Sequence, residues 1–453
     1  MEPTELKTLL EGIAVIDSRD ETITEVVTDS RLASHGSLFV AIEGDRLDGH
    51  DFIKDAFCNG AAAAVVSRRM EAADGWQIVV PDTKDAHIGI AKNYKRQFDI
   101  LSVAITGSVG KTTTKEMTAV ILEQFGRTLK NDGNLNNEVG LPKTVFEINR
   151  DVKYAVFEMG MNQLGDISKL TEAVKPDAAI ITGIGVSHIE YLKTRENILK
   201  AKLEVTEGMS GDGLLVLNGD DELLMKARGG IQQTTATFAV NNKDADVTAA
   251  DIMIRPKQSE FTIMDKKYGN FSASIPAVGN HNIMDALSAY TLTTRMGFDP
   301  ERSADALEKF RTIGMRQHIV EFRGITVIED CYNANPDSMY AALAALSAMQ
   351  VDGIRIAILG DMLELGSLSE REHYRLGMLA AKSSIDVLLC IGENMKYTAE
   401  AARAAKITSV EWFGDKRSLA DYLSRTAHAG DAVFIKGSRG MRLEDILDMF
   451  YRR

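Results

Sequence analysis

The run Ile105-Thr106-Gly107-Ser108-Val109-Gly110-Lys111-Thr112-Thr113 gathers the residue types that hold a nucleotide phosphate. Glycines let backbone N–H groups approach phosphate oxygens without a side chain between; Lys111 can reach the terminal phosphates, and the Thr112 hydroxyl can hold Mg²⁺. The full Walker spacing is not met, because Ile105 stands where its first glycine belongs, and a shorter G-x-x-G-K-T remains. An ordinary Gly-Ser turn before a helix is the competing reading. Context favours the phosphate loop: Ser102-Val103-Ala104-Ile105 reads as a strand, and Glu116 to Phe125 reads as the helix that follows. Gly107, Ser108, Val109, Gly110, Lys111, Thr112 and Thr113 are therefore expected to bind the nucleotide.

Three further side chains sit where such chemistry would need them. Glu158 directly follows the apolar run Tyr154-Ala155-Val156-Phe157, at the strand end where a phosphate-loop domain commonly presents a Mg²⁺-binding carboxylate. A surface carboxylate is the plainer alternative. His188 closes Gly185-Val186-Ser187-His188 after another strand end, a weak signal by itself. Lys202 lies mid-helix in Lys200-Ala201-Lys202-Leu203-Glu204, where a solvated lysine is equally natural. No HExxH zinc motif and no GxSxG nucleophile motif competes.

The elements that must carry these residues fall into three blocks. Residues 1–98 hold short strand-like runs, Ser37 to Ile42 and Ala62 to Val66, around the turn-rich Glu43 to His50, which predicts a small α/β domain. In 99–314 the apolar runs Val103-Ile105, Tyr154-Phe157, Ala178-Ile181 and Leu214-Leu217 alternate with helical sequence, the signature of a parallel sheet covered on both faces. A polar stretch from Asn241 to Asp265 reads as a strand-and-turn insertion. In 315–453 the alternation restarts at Thr326-Ile328, Arg355-Leu359, Val387-Ile391 and Ala432-Ile435, predicting a Rossmann-like third domain. The fold class is thus three-domain α/β with a central parallel-sheet ATPase domain.

Composition narrows the class further. A chain of 453 residues with 45% hydrophobic and 26% charged residues has apolar material for several cores. Its net charge of -13 disfavours general nucleic-acid binding, which needs a basic face. Three cysteines, Cys58, Cys331 and Cys390, show neither CxxC nor Cys/His spacing, so a reducing cytoplasm is expected. No long uncharged apolar run and no basic-then-apolar leader is present, so membrane insertion and export are not expected.

Taken in order along the chain, these motifs resemble those of the Mur ligases, ATP-dependent amide-forming enzymes of peptidoglycan precursor synthesis. Thr28-Asp29-Ser30-Arg31, Gly36 to Ala41 and Gly49-His50-Asp51-Phe52 are similar to the family's domain for the UDP end of the substrate, which implies roles for Ser30 and Arg31. Gly107 to Lys115 resembles its shortened phosphate loop. Gly133-Asn134-Leu135-Asn136-Asn137-Glu138 resembles its loop near the muramyl group, implying Asn134, Asn136 and Asn137. By the same resemblance Thr112, Glu158 and His188 would serve a Mg²⁺ site, joined by Lys202 in carbamylated form. Gly279-Asn280-His281-Asn282 looks like the adenine-side motif, although Asp285 stands where asparagine is usual, and Arg316 looks like the arginine opening the third domain.

Two stretches point to one branch. Asp330-Cys331-Tyr332-Asn333-Ala334-Asn335-Pro336 and Leu359-Gly360-Asp361-Met362-Leu363-Glu364 resemble those of ligases that add a dipeptide, and the Asp-Asn-Pro-Arg run of the diamino-acid-adding branch is absent. The resemblance implies ATP and Mg²⁺ as cofactors, UDP-N-acetylmuramoyl-tripeptide and D-alanyl-D-alanine as substrates, an acyl-phosphate intermediate, and Tyr332, Asn333, Asn335 and Asp361 at the amine acceptor. A monomer is expected, and because water could destroy the acyl phosphate, the site should close before chemistry. Another Mur or folylpolyglutamate-type ligase is the alternative within the superfamily, and a phosphate-loop NTPase switch the alternative outside it.

Overall fold

The computed structural model describes residues 1–16, 21–44, 46–187, 189–405 and 409–452. Its centre is a nine-stranded sheet in the order Gly269–Ile275, Ser259–Asp265, Val247–Ile254, Thr234–Ala239, Leu214–Asn218, Ala178–Ile181, Leu101–Thr106, Tyr154–Glu158, Thr128–Lys130. The strands from Thr128–Lys130 through Val247–Ile254 run parallel, and the last two are antiparallel. Val103, Ala104 and Ile105 are all fully buried, so the apolar run of that strand reflects burial on both faces.

Two expectations shift in detail. The helix after the phosphate loop begins at Lys111 and ends at Glu123, earlier than its apolar pattern suggests, because the first turn is polar but already helical. The stretch from Asn241 to Asp265 is no separate insertion. Its strands Val247–Ile254 and Ser259–Asp265 extend the central sheet, joined by Gly269–Ile275. Alternation along Ser259–Asp265 is regular, with Phe261 and Ile263 buried and Thr262 and Met264 half-buried, as a one-sided sheet requires.

Two smaller sheets flank this centre. Glu25–Val27, Ser37–Val40, Ala63–Val66 and Gln77–Val79 form a parallel four-stranded sheet near the N-terminus. At the other end, His318–Phe322, Ile325–Asp330, Ala432–Lys436, Arg355–Gly360, Val387–Ile391 and Ser409–Phe413 form a six-stranded sheet, parallel except for its first edge strand.

The two junctions differ physically. The helix Thr83–Lys95 lies against both Asp166–Val174 and Gly140–Val145 of the central layer. A single apolar core runs from Leu6, Leu38 and Val65 through Ile90 and Tyr94 to Leu141, Phe157, Leu170 and Leu217. The Tyr94 hydroxyl donates to the Ile148 carbonyl at 2.6 Å, and Lys92–Glu172 and Lys169–Asp85 pair at 2.7 Å each. Exposed pairs of this kind contribute at most about 1 kcal/mol, so the shared apolar core is what joins the two layers. The six-stranded sheet has cores of its own on each face, and few central residues, Ile254 and Val278 among them, enter one of those cores. The boundary between the central and C-terminal sheets is a largely polar cleft.

His87 is fully buried on the helix Thr83–Lys95, its ring 5.7 Å from that of Phe146. Burial, with Lys143 nearby, pushes its pKa down from 6.5 to about 3. Between those values the unfolded chain binds a proton that the native chain refuses, so stability falls as pH drops through this window. A His87→Leu variant removes this term. In urea unfolding between pH 7 and pH 5, the wild type is expected to lose about 2 kcal/mol more than the variant. Equal losses would show that His87 does not titrate as its burial demands.

Candidate active site

The strand Leu101–Thr106 delivers the chain to Gly107, and the helix Lys111–Glu123 leaves from Gly110, which caps it at φ +87°. A Cβ on Gly107 would overlap the Thr182 hydroxyl, and one on Gly110 would overlap the Asp285 carboxyl. Both positions therefore demand glycine. The loop between them is held by Ser108 N–H donating to the Gly183 carbonyl at 3.0 Å and by the Thr182 hydroxyl donating to the Val109 carbonyl at 2.5 Å. Its first-turn N–H groups and the helix dipole present partial positive charge, the ordinary setting for a phosphate. Lys111 Nζ donates to the Gly107 carbonyl at 3.0 Å, folded back over the loop. Burial lowers its pKa, with Glu158 opposing the shift and Arg316 adding to it.

Glu158 ends its strand 2% exposed, and a buried carboxylate needs partners. It has them on every side. Thr112 Oγ1 donates to Oε2 at 2.8 Å and Asn136 Nδ2 to Oε1 at 2.8 Å. Asn131 accepts from the Glu158 N–H at 2.8 Å and donates to its carbonyl at 3.2 Å, so one side chain satisfies that residue's whole peptide pair. Buried Lys115 in turn holds the Asn131 carbonyl. Asn131 and Lys115 carry no spacing signal that marks them in the sequence as supports of this carboxylate. The Thr112 hydroxyl and Glu158 carboxylate are hard oxygen donors side by side at the phosphate loop, a set that suits Mg²⁺.

Lys202 is 1% exposed on the helix Arg195–Leu203, so the solvated-lysine alternative does not hold. Its pKa falls well below the usual value through burial first, then through the charge of Lys111. His188 lies outside the described residues.

Across the cleft the walls come from the start of the helix Asn280–Arg295 and from the C-terminal sheet. Asn282 Nδ2 donates to the Val278 carbonyl at 2.8 Å and to Gln317 Oε1 at 2.6 Å, and Gln317 Nε2 lies 2.5 Å from His281 Nε2. Burial brings the His281 pKa down to about 4. Asn280 points to solvent. Asp285 accepts from the Thr114 hydroxyl at 3.1 Å, and burial raises its carboxyl well above the usual range. The Arg316 guanidinium stacks 4.0 Å from the Tyr332 ring centre. Lys436 Nζ, nearly buried, pairs with Asp330 at 2.7 Å and donates to the Asn333 carbonyl at 3.0 Å. Lys436 and Gln317 were not singled out in the sequence; a lysine ending a strand and a glutamine in a loop look ordinary until the fold assembles them.

A cavity of about 250 Å³ joins these groups, lined by the phosphate loop, Asn134, Asn136 and Glu158 on one side and by Arg316, Tyr332, Asn333, Asn335 and Lys436 on the other. Other expected residues lie apart from it. Ser30 and exposed Arg31, paired with Asp29 at 2.6 Å, belong to the N-terminal layer. Asn137 Oδ1 accepts from the Val139 and Gly140 N–H groups at the start of a helix. Asp361 accepts from Met395 N–H at 2.9 Å and so ties the end of the strand Arg355–Gly360 to the start of the helix Met395–Ala404.

The site and fold define a three-domain α/β protein whose nucleotide-type loop faces a second domain across a cleft. Family models agree along the chain: residues 22–104 match the Mur ligase family catalytic domain, 105–293 the Mur ligase middle domain, and 315–439 the Mur ligase glutamate ligase domain. The chain belongs to the Mur ligase family. It is 35% identical to the UDP-N-acetylmuramoyl-tripeptide–D-alanyl-D-alanine ligase of Bacillus subtilis over 97% of this chain and 96% of that one, and 33% identical to the Escherichia coli ligase of the same name over 95% and 94%. Among solved structures, MurF of Acinetobacter baumannii superposes with a TM-score of 0.91 at 28% identity over the full length of both chains. MurF of Thermotoga maritima in complex with ADP superposes at 0.86 with 26% identity, covering 94% of this chain and 97% of that one.

Among the described residues the Lys111 ammonium makes one hydrogen bond, to its own loop, so a Lys111→Ala variant should fold normally. Its expected defect is loss of ATP-dependent turnover by on the order of 10²-fold or more, the cost of removing a preorganised charge from phosphate. Far-ultraviolet circular dichroism alongside phosphate release checks both halves. Near-normal turnover in a folded variant would remove Lys111 from the site.

Proposed function

We propose that this protein joins D-alanyl-D-alanine to UDP-N-acetylmuramoyl-tripeptide in peptidoglycan precursor synthesis, forming the amide bond with conversion of ATP to ADP and phosphate. The observation that carries this reading is the cleft itself, where a phosphate loop with a fully satisfied carboxylate faces a second domain bearing Arg316, Tyr332 and the Asp330–Lys436 pair. Likeness to ligases of that name along nearly the whole chain supports it.

The chemistry must bring two anions together. A carboxylate oxygen of the tripeptide attacks the γ-phosphorus, the bond to the β-phosphate oxygen breaks, and ADP leaves. The amine of the dipeptide then attacks the acyl carbon, the C–O bond to phosphate breaks, and the amine loses a proton as the amide forms. Loop N–H groups and Lys111 hold the phosphates against that repulsion. Thr112 and Glu158 would hold Mg²⁺, which when bound supplies further neutralisation of phosphate charge. His281, Asn282 and the adjoining Asn280 serve the nucleoside side, and Arg316, fixed on Tyr332, brings a second cation near Lys111. Closure of the cleft keeps water from the acyl phosphate.

The remaining assignments follow the order of the chain. Residues 1–98, with Ser30 and Arg31, hold the UDP end; residues 99–314 bind ATP, with Asn134, Asn136 and Asn137 toward the muramyl group; residues 315–453 receive the amine. Tyr332 and Asn333 face the cavity for that amine acceptor, while Asn335 and Asp361 shape the loops around it. A cytoplasmic monomer suits a chain in which no described helix is long and apolar enough to cross a membrane.

Lys202 fits this reading as a carbamate. An ammonium has only donors and cannot ligate a metal, whereas a buried neutral amine adds CO₂ with loss of a proton and becomes an anion with acceptor oxygens. Lys111 close by favours that anion. By the family resemblance of its motif, His188 would be a further Mg²⁺ ligand.

Two measurements test these assignments. Phosphate release across a panel of UDP-muramoyl peptides and amines should be highest with the tripeptide and D-alanyl-D-alanine; preference for a free amino acid would place the protein with another ligase of the family, and nucleotide hydrolysis without any amine would favour a switch. Lys202→Ala should be nearly inactive and partly restored by acetate or propionate, and the wild type should show a carbamate carbon in ¹³C NMR after ¹³CO₂ labelling. Full activity of Lys202→Ala would end that assignment.

A further inference from the structure

One segment of the central domain is gripped from both sides of the cleft. From Thr182 to Ser187 nearly every polar group is engaged. Ile184 N–H donates to Asp221 at 2.7 Å, and Arg195 donates to its carbonyl at 2.6 Å. Gly185 N–H donates to Ser108 Oγ at 2.9 Å, and Ser187 Oγ donates to the Ser108 carbonyl at 3.3 Å. The segment therefore holds the middle of the phosphate loop by both ends of one serine.

Its other face belongs to the C-terminal domain. Asn335 caps the helix Pro336–Ala348, its Oδ1 accepting from Ser338 N–H at 2.8 Å, while its Nδ2 donates to Ser187 Oγ at 2.8 Å. Two residues on, Asp337 Oδ2 accepts from Val186 N–H at 3.1 Å. The fit is close: a Cβ on Gly185 would collide with that carboxyl oxygen. A helix-start carboxylate is an ordinary surface feature. Here it is aimed across a domain boundary at a backbone that carries the phosphate loop, and no step of the proposed chemistry uses it.

We infer that Asp337 is a positioning residue for phosphoryl transfer: by accepting the Val186 N–H it makes the set of the phosphate loop conditional on the C-terminal domain being in place. The inference rests on the ATP-dependent ligase reading. In this arrangement the nucleotide can bind the loop without the contact, but the γ-phosphate reaches its reactive geometry only once Asp337 has engaged the segment. An enzyme so built binds ATP in the open form and withholds its reactive geometry until closure, which limits wasteful hydrolysis.

Kinetics of full-length variants with all three substrates test this. Asp337→Ala should lower kcat roughly 10- to 100-fold, the scale of a small misplacement at a reacting centre, with the dissociation constant for ATP unchanged. Asp337→Asn keeps an acceptor oxygen and should restore most of kcat. Gly185→Ala should reproduce the kcat defect, and combining it with Asp337→Ala should add little, because both disrupt one contact. Acyl-phosphate formation, trapped with hydroxylamine, should fall in parallel with kcat. A defect confined to KM for ATP, additive effects of the two alanine changes, or failure of Asp337→Asn to recover over Asp337→Ala would each overturn the inference. An active wild type with unaffected variants would refute the positioning role alone, whereas a wild type without ligase activity would refute the functional reading beneath it.

Discussion

A carboxylate taken out of water must be met by hydrogen-bond donors, and Glu158 imposes that condition on everything around it. Its carboxylate takes donors from two segments, the phosphate-loop helix through Thr112 and the loop after Thr128–Lys130 through Asn136, and Asn131 of that same loop pairs with the Glu158 backbone N–H and carbonyl. Because Thr112 and the Asn131–Asn136 loop belong to different segments, satisfying this one residue fixes the phosphate-loop helix, that loop and the strand Tyr154–Glu158 relative to one another. The same arrangement places hard oxygen donors beside Lys111, so structural necessity and phosphate chemistry converge on one point. Removing either Asn131 or Thr112 would leave buried polar atoms unpaired, at about 1–3 kcal/mol each.

The cleft follows a different rule. Three cations, Lys111, Arg316 and Lys436, line a cavity in a chain whose overall charge is negative, so attraction for anionic substrates is local rather than global. Lys436 is compensated by Asp330, while Lys111 is lowered in pKa by burial and by Arg316, with Glu158 opposing.

Much of this could be read in advance, and the reasons are physical. Strand, glycine turn and helix are specified locally, so the phosphate loop was visible despite its missing first glycine, and continuous apolar runs marked the parallel strands of both large sheets. Burial of Lys202 was not visible, because the helix around it has a polar sequence and only its neighbours exclude water. Asn131, Gln317 and Lys436 were likewise silent, as their roles arise from contacts between segments far apart in the chain. The polar run from Asn241 to Asp265 reads as an insertion because alternate residues of its strands are polar or only half-buried, yet backbone pairing joins it to the main sheet. Asn335 lines the cavity, and its side chain also caps a helix and reaches Ser187, a double engagement that its sequence neighbours do not announce.

The apolar core that passes without a break from the first strands into the central sheet sets the units in which this chain unfolds. Residues such as Tyr94 and Ile90 cannot lose their surroundings on one side and keep them on the other, so the first two sheets melt together. The C-terminal sheet, with a core on each of its own faces, is a separate cooperative unit. The three larger sheets therefore make two cooperative bodies, and a calorimetric trace should resolve into two transitions, of which only the larger carries the phosphate loop.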